Sequence, residues 1–172
     1  MGYLQDKTVY LAGPMLSCSD DGKGWRDLIR PQLIDLGINI LDPTRKTTAE
    51  CSEVADDKTK FKELAIAGDF HALKEEFNPV ARWDLRSVDK SDFLIVSYDF
   101  SIPTFGTVDE ITTASMQRKP ILFHYNEEQK HIFNPWTTVR VDPNNIFTKW
   151  EDVFDHLKQV DAGNFNKKLW TL

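Results

Sequence analysis

Asp84, Asp89, Asp92, Asp99, Asp109 and Glu110 crowd into one stretch of the chain around a short apolar run, Phe93 to Tyr98. Carboxylates gathered near a crevice raise one another's pKa and can divide acid, base and nucleophile roles between them. Glu110 has the most telling position. It ends the segment Asp99-Phe100-Ser101-Ile102-Pro103-Thr104-Phe105-Gly106-Thr107-Val108-Asp109-Glu110, in which a strand hands over to a helix. Such junctions are where α/β proteins place their ligands. A helix read from Thr107 to Arg118 puts Glu110 in its first turn, where free N–H groups and the helix dipole favour the ionised carboxylate of a nucleophile. A glutamate that only complements the dipole would occupy the same position. Asp109 must face another direction on that helix and reads as exposed, while Asp89 and Asp92 read as a helix end and a strand-entry turn. Tyr10 has two readings: a core side chain of a buried strand, or a hydroxyl that reaches the crevice and donates to a nucleophilic carboxylate.

Other chemistries find less support. Gly22-Lys23-Gly24 lacks the upstream glycine and the following Ser or Thr of a P-loop, no GxGxxG run follows the first strand, and there is no GxSxG elbow. His71, His124, His131 and His156 show no ligand pairing at helical spacing, so a metal site is not expected. Cys18 and Cys51 lie outside any CxxC spacing and read as reduced thiols.

The elements that position these residues alternate. Lys7 to Ala12 reads as a strand stopped by Gly13-Pro14, and Trp25 to Leu36 as an amphipathic helix in which Pro31 predicts a kink or a break. Ile38 to Leu41 is a second strand, and Thr44 to Lys58 a polar excursion. Helical segments follow over Phe61 to Phe77 and, from the cap Asn78-Pro79, to about Lys90. Phe93 to Tyr98 is the third strand, Lys119 to His124 the fourth, Thr138 to Val141 a short fifth, and Lys149 to Val160 a closing helix. This alternation implies a single domain, residues 1–172, built as a flavodoxin-like or Rossmann-like α/β three-layer sandwich. Right-handed crossovers give its five-stranded parallel sheet the order 2-1-3-4-5. The loops after Ala12 and after Tyr98 then frame one crevice at the switch point between strands 1 and 3.

Bulk properties narrow the partners. The chain has 172 residues, 41% of them hydrophobic, and a net charge of −6 with no dense basic run. A nucleic-acid surface is therefore not expected. No apolar run approaches the roughly 18 residues of a membrane span and no signal-type segment opens the chain, so a cytoplasmic protein is expected. Ser17, Ser19 and the helix start at Gly106-Thr107 could hold a phosphate.

Tyr-Leu-Ala-Gly-Pro-Met at 10–15, Arg82-Trp83-Asp84 followed by Val88-Asp89-Lys90-Ser91-Asp92, then Gly106 to Glu110 and Lys119-Pro120-Ile121, together resemble the nucleoside 2-deoxyribosyltransferase family and its nucleotide N-hydrolase relatives. The likeness spans most of residues 7–125. It implies a cofactor-free enzyme that cleaves the N-glycosidic bond of 2′-deoxynucleosides through a covalent deoxyribosyl–glutamate intermediate, with a small-molecule deoxynucleoside and a nucleobase as its partners. By the resemblance Glu110 takes the nucleophile position, Tyr10 orients it, Asp84 contacts the base, and Gly13, Pro14, Gly106 and Thr107 lie around the substrate. The family often has a second base-contacting aspartate six residues before the nucleophile, where this chain has Thr104. Asp99 could substitute if its loop folds inward. A homo-oligomer, a dimer or trimer of dimers, is implied as well, with Asn134 and Trp136 offered to a neighbouring subunit's site. The aromatic residues of His131 to Trp136 and of the tail Phe165 to Leu172 either form an interface beside the crevice, the tail completing the neighbour's pocket, or fold onto their own core. Transfer to a second base, hydrolysis of a nucleoside or a 5′-monophosphate, and a non-catalytic nucleotide sensor on the same fold all remain open at this point.

Overall fold

A computed structural model describes residues 2–46, 55–170 and 172. Five strands, β1 (Thr8–Ala12), β2 (Asn39–Leu41), β3 (Phe93–Tyr98), β4 (Ile121–Tyr125) and β5 (Ile146–Phe147), form a parallel sheet of order β2-β1-β3-β4-β5. Six helices connect and cover it: α1 (Lys23–Asp35), α2 (Ala55–Ala67), α3 (Phe70–Lys90), α4 (Phe105–Met116), α5 (Trp136–Arg140) and α6 (Trp150–Asp161). Among the described residues no helix is long and apolar enough to cross a membrane.

Period-two alternation along β1 decides which layer each side chain joins. Val9 and Leu11 pack with Ile29 and Leu33 of α1 and Val153 and Leu157 of α6, whereas Tyr10 and Ala12 point the other way, toward Val88 of α3 and Ile111 and Ala114 of α4. Tyr10 therefore shares a layer with the helices that bear Asp84 and Glu110. The chain's end closes the opposite layer. Trp170 is 2% exposed and packs on Phe93 at 5.3 Å, so the tail from Phe165 folds onto its own core rather than standing ready for a neighbour. Truncating such a buried Trp to Ala costs about 3–5 kcal/mol.

Several expected boundaries move. Pro31 neither ends nor divides α1, which runs unbroken. The carbonyl it leaves unbonded is that of Asp27, an exposed residue whose backbone water can satisfy. The helix break expected at Asn78-Pro79 lies at Gly68-Asp69 instead: Gly68 takes the left-handed φ of 72°, and the Asp69 side chain accepts from Ala72 N at 3.0 Å. Pro79 sits inside α3. The excursion ends earlier than expected, because α2 already includes Lys58; Cys51 and residues 47–54 of that excursion lie outside the described residues. Thr138 to Val141 is not a strand. Asn134 accepts from Trp136 N at 3.0 Å in the turn before α5, and α5 takes in Thr138 to Arg140, leaving the sheet edge to Ile146 and Phe147, which pair with Phe123 and His124.

Candidate active site

The loops after β1 and β3 border a cavity of about 300 Å³ at the expected switch point. Tyr10, Gly13, Pro14, Ser17, Asp84, Thr104, Gly106, Thr107 and Glu110 all line it. Ser19 does not. Gly13 is required by its surroundings, since a Cβ there would stand 2.8 Å from the Ser97 carbonyl oxygen. Only a glycine lets the first loop lie this close to the end of β3. Arg26 holds that loop from behind. Fully buried on α1, it donates to the carbonyls of Leu11 at 3.1 Å, Gly13 at 3.2 Å and Gly22 at 2.6 Å.

Three side chains meet at the cavity floor. The Tyr10 hydroxyl lies 2.7 Å from Glu110 Oε1 and 3.1 Å from Asp84 Oδ1. Glu110 is 7% exposed, and among the described residues its buried Oε2 has no hydrogen-bond partner. The helix begins earlier than the sequence suggests: α4 starts at Phe105 with Thr104 as its N-cap, so Glu110 is its sixth residue, beyond the first turn. The expected help from free N–H groups and the dipole is therefore lost, because both fade after one turn. Burial governs instead. Desolvation, and then the charge of Asp84, push Glu110 up to about 8 against the hydrogen bond from Tyr10 and the charges of Arg26 and Lys46. Tyr10 is held well above its ordinary value by burial and by the two carboxylates, and so remains a hydrogen-bond donor.

Among the described residues Asp84 pairs with neither Arg82 nor Arg86, its neighbours on α3. Its Oδ1 accepts from Lys46 Nζ at 3.1 Å, and the Lys46 ammonium also lies 4.9 Å from the Trp83 ring centroid. Burial raises the Asp84 carboxyl, while Lys46 and Tyr10 pull it back.

Asp99, Asn134 and Trp136 stand apart from this cavity. Asp99 does not fold inward; it accepts from Ser101 N at 2.8 Å and from Gln129 Nε2 at 2.6 Å. Partial burial works upward on this carboxyl, but those hydrogen bonds prevail and hold it below the usual range. Asn134 and Trp136 line a neighbouring cavity of about 600 Å³, separated from Glu110 by the segment from Ile102 to Phe105 that borders both. Thr104 lines both cavities and donates to Thr107 Oγ1 at 2.6 Å. Asp109 is exposed, and Asp92 accepts from Thr8 N at 2.7 Å as a strand-entry residue should. Among the described residues no three His, Cys, Asp or Glu side chains are grouped to hold a metal ion.

Arg26 and Lys46 are functional neighbours that the sequence reading missed. Arg26 carried a usable signal, a base sharing the buried stripe of α1 with Ile29 and Leu33. Lys46 carried none, since it lies in a polar segment without periodicity.

A parallel sheet of order 2-1-3-4-5 with a tyrosine and two carboxylates at its switch point defines an α/β ligand-binding class. Within that class the fold is that of solved 2-deoxyribosyltransferases. The chain is similar to a 2-deoxyribosyltransferase from Bacillus psychrosaccharolyticus at 19% identity, over 86% of this chain and 90% of that one, with a TM-score of 0.55. It is similar to a 2-deoxyribosyltransferase from Leishmania mexicana at 16% identity, over 88% and 96%, with a TM-score of 0.53. It is similar too to a conserved protein from Enterococcus faecalis V583 at 20% identity, over 90% and 98%, with a TM-score of 0.59. No protein-family model matches the chain, and no curated protein matches its sequence.

Proposed function

We propose that this chain cleaves the N-glycosidic bond of 2′-deoxynucleosides and passes the deoxyribosyl group to another nucleobase. The observation that carries the reading is Glu110: a buried carboxylate with one oxygen held by Tyr10 and the other unpartnered at a cavity shared with Asp84. The fold shared with 2-deoxyribosyltransferases supports it. In the first step Glu110 attacks C1′ from below and the C1′–N bond breaks, its electron pair leaving with the base, which takes up a proton. In the second step a nitrogen of the incoming base attacks C1′ and gives up its N–H proton to solvent, balancing the proton taken up by the departed base, while the Glu110 carboxylate leaves C1′. Two inversions give net retention, as in retaining glycosidases. A 2-deoxy sugar suits this route because it lacks the electron-withdrawing hydroxyl that would destabilise positive charge at C1′. Asp84 faces the base, and the working form is a homo-oligomer.

A specific observation favours a second reading. Ser17 and the start of α4 at Gly106-Thr107 line the same cavity, and hydroxyls with helix N-termini suit a 5′-phosphate. The first step would then be unchanged, with water completing the second. Incubation with deoxyinosine and adenine should yield deoxyadenosine, and a deoxynucleoside monophosphate alone should yield free base only under the second reading. Mass spectrometry after exposure to a 2-fluoro-2-deoxy nucleoside should find the sugar on Glu110. No product and no adduct in either incubation would leave a binding domain.

A further inference from the structure

Two carboxylates compete for one proton at the floor of the cavity. The Tyr10 hydroxyl has a single hydrogen, yet it lies within reach of both Glu110 Oε1 at 2.7 Å and Asp84 Oδ1 at 3.1 Å. Lys46 bears on that competition. Its side chain is 1% exposed, against 17% for Asp84, and its ammonium lies 3.1 Å from the same Asp84 Oδ1 that Tyr10 could serve. An ammonium supplies donors that Asp84 would otherwise seek from the phenol, so the phenol's hydrogen is released to Glu110. The same cation lies over the Trp83 ring, 4.9 Å from its centroid.

We propose that Lys46 is a positioning residue of this site: by pairing with Asp84 it keeps that carboxylate anionic and commits the Tyr10 hydroxyl to Glu110. The inference rests on the reading of Glu110 as the nucleophile, and adds a residue that the resemblance does not supply. Four charged or titratable groups face Glu110: Tyr10 from β1, Arg26 from α1, Lys46 from the turn after β2, and Asp84 from α3. Asp84 opposes ionisation of Glu110 and the two cations favour it. Without Lys46 the two carboxylates would face one phenol with only the charge of Arg26 to offset them, and the state in which both are ionised would form only at higher pH.

The test follows the side-chain carboxyl carbons of Asp and Glu by carbon-13 NMR across a pH titration, together with the pH profile of kcat/KM. In Lys46→Met the second ionisation of the Asp84–Glu110 pair should move up by about one pH unit, and kcat/KM below neutrality should fall about tenfold. Lys46→Arg, which keeps the charge, should restore both. Asp84→Asn should move the Glu110 titration in the opposite direction, and it decides the matter if Lys46→Met does not fold. A second ionisation unchanged in Lys46→Met, or a Glu110 titration unchanged in Asp84→Asn, overturns the role given to Lys46. The titration needs no turnover. A wild-type protein that titrates as expected but cleaves no nucleoside or nucleotide overturns the enzymatic reading instead, with the Lys46 linkage intact.

Discussion

Tyr10 Oη and Glu110 Oε1 stand 2.7 Å apart across 100 positions of sequence, joining the middle of the first strand to the second turn of the helix that follows the third. The distance suits a phenol donating to a carboxylate, the form that the proposed attack of Glu110 on C1′ requires. Removing the hydroxyl in Tyr10→Phe keeps the ring's packing against the α3–α4 layer and deletes only the donor. A hydrogen bond to a charged group is worth about 1.5–3 kcal/mol, so kcat should fall on the order of tenfold to a hundredfold. Stopped assays on a folded Tyr10→Phe protein check this, and wild-type kcat would remove Tyr10 from the mechanism.

Glu110 itself links activity and stability through pH. Its folded-state pKa of about 8 lies above the ordinary carboxylate value because of burial and the Asp84 charge. The free enzyme should therefore gain kcat/KM as pH rises toward about 8. Stability runs the other way. A raised pKa contributes stability that is complete below the unfolded value near 4.5 and is lost as pH climbs through about 8. Glu110→Gln should thus be inactive by orders of magnitude at every pH and melt above the wild type in alkaline buffer. Thermal melts of the two proteins between pH 6 and 9 are the measurement, and parallel curves would contradict the buried-acid assignment.

How much of this was legible follows from what each segment's pattern could encode. The strand Phe93 to Tyr98 is buried over its first four residues, and the continuous apolar run from Phe93 to Val96 announces it. The sheet order followed from handedness once the elements alternated. Short segments failed for the opposite reason. Thr138 to Val141 offers too few positions to separate period 2 from period 3.6, and its first three residues complete the helix that begins at Trp136. Gly68-Asp69 and Asn78-Pro79 both look like helix starts, and only the left-handed backbone at Gly68 resolves them. Glu110 was found for a reason that did not hold. A two-residue error in the start of α4 replaced burial with a dipole, and the sign of its pKa shift turned with it.

Thr104 offers a test of base preference that does not threaten the fold. It is the N-cap of α4 but makes no side-chain capping bond, its hydroxyl going to Thr107 instead. Aspartate is among the best N-cap residues, so Thr104→Asp should hold or raise stability, by up to about 1 kcal/mol. It also adds a carboxylate to the wall of the Glu110 cavity. The ratio of kcat/KM for purine and pyrimidine deoxynucleosides should change with little movement in the melting temperature. An unchanged ratio would show that the base does not meet this position.

Away from the cavity, His124 is expected to lower stability in acid. Its ring stacks on Trp150 at 4.0 Å between centroids, and desolvation lowers its pKa to about 4. A base whose folded value is depressed contributes stability that is present above the unfolded value near 6.5 and is lost as pH falls toward 4. Burial lowers His156 in the same direction. His124→Phe should keep the stack while flattening the fall in melting temperature between pH 6.5 and 4. A fall as steep as that of the wild type would assign the acid sensitivity elsewhere.

The proposed oligomer has a definite place to form. Phe105 is 86% exposed and Trp136 67% exposed, and both line the cavity that adjoins the Glu110 site, with Val108 beside them. Aromatic residues concentrate the energy of protein interfaces when they are buried there. Trp170 offers no such handle, because it is already part of its own core, and deleting residues 165–172 would test folding rather than assembly. Trp136→Lys is the better probe, since α5 presents that side chain outward and a charge there has no fold to disrupt. Sedimentation should show the wild type as an oligomer and Trp136→Lys with a dissociation constant raised at least about thirtyfold, the effect of losing an interface hot spot. If the site borrows from the neighbouring subunit, the Michaelis constant should rise with dissociation and fall again as protein concentration increases. A wild-type protein that sediments as a fully active monomer at assay concentration would place Phe105 and Trp136 outside any functional interface.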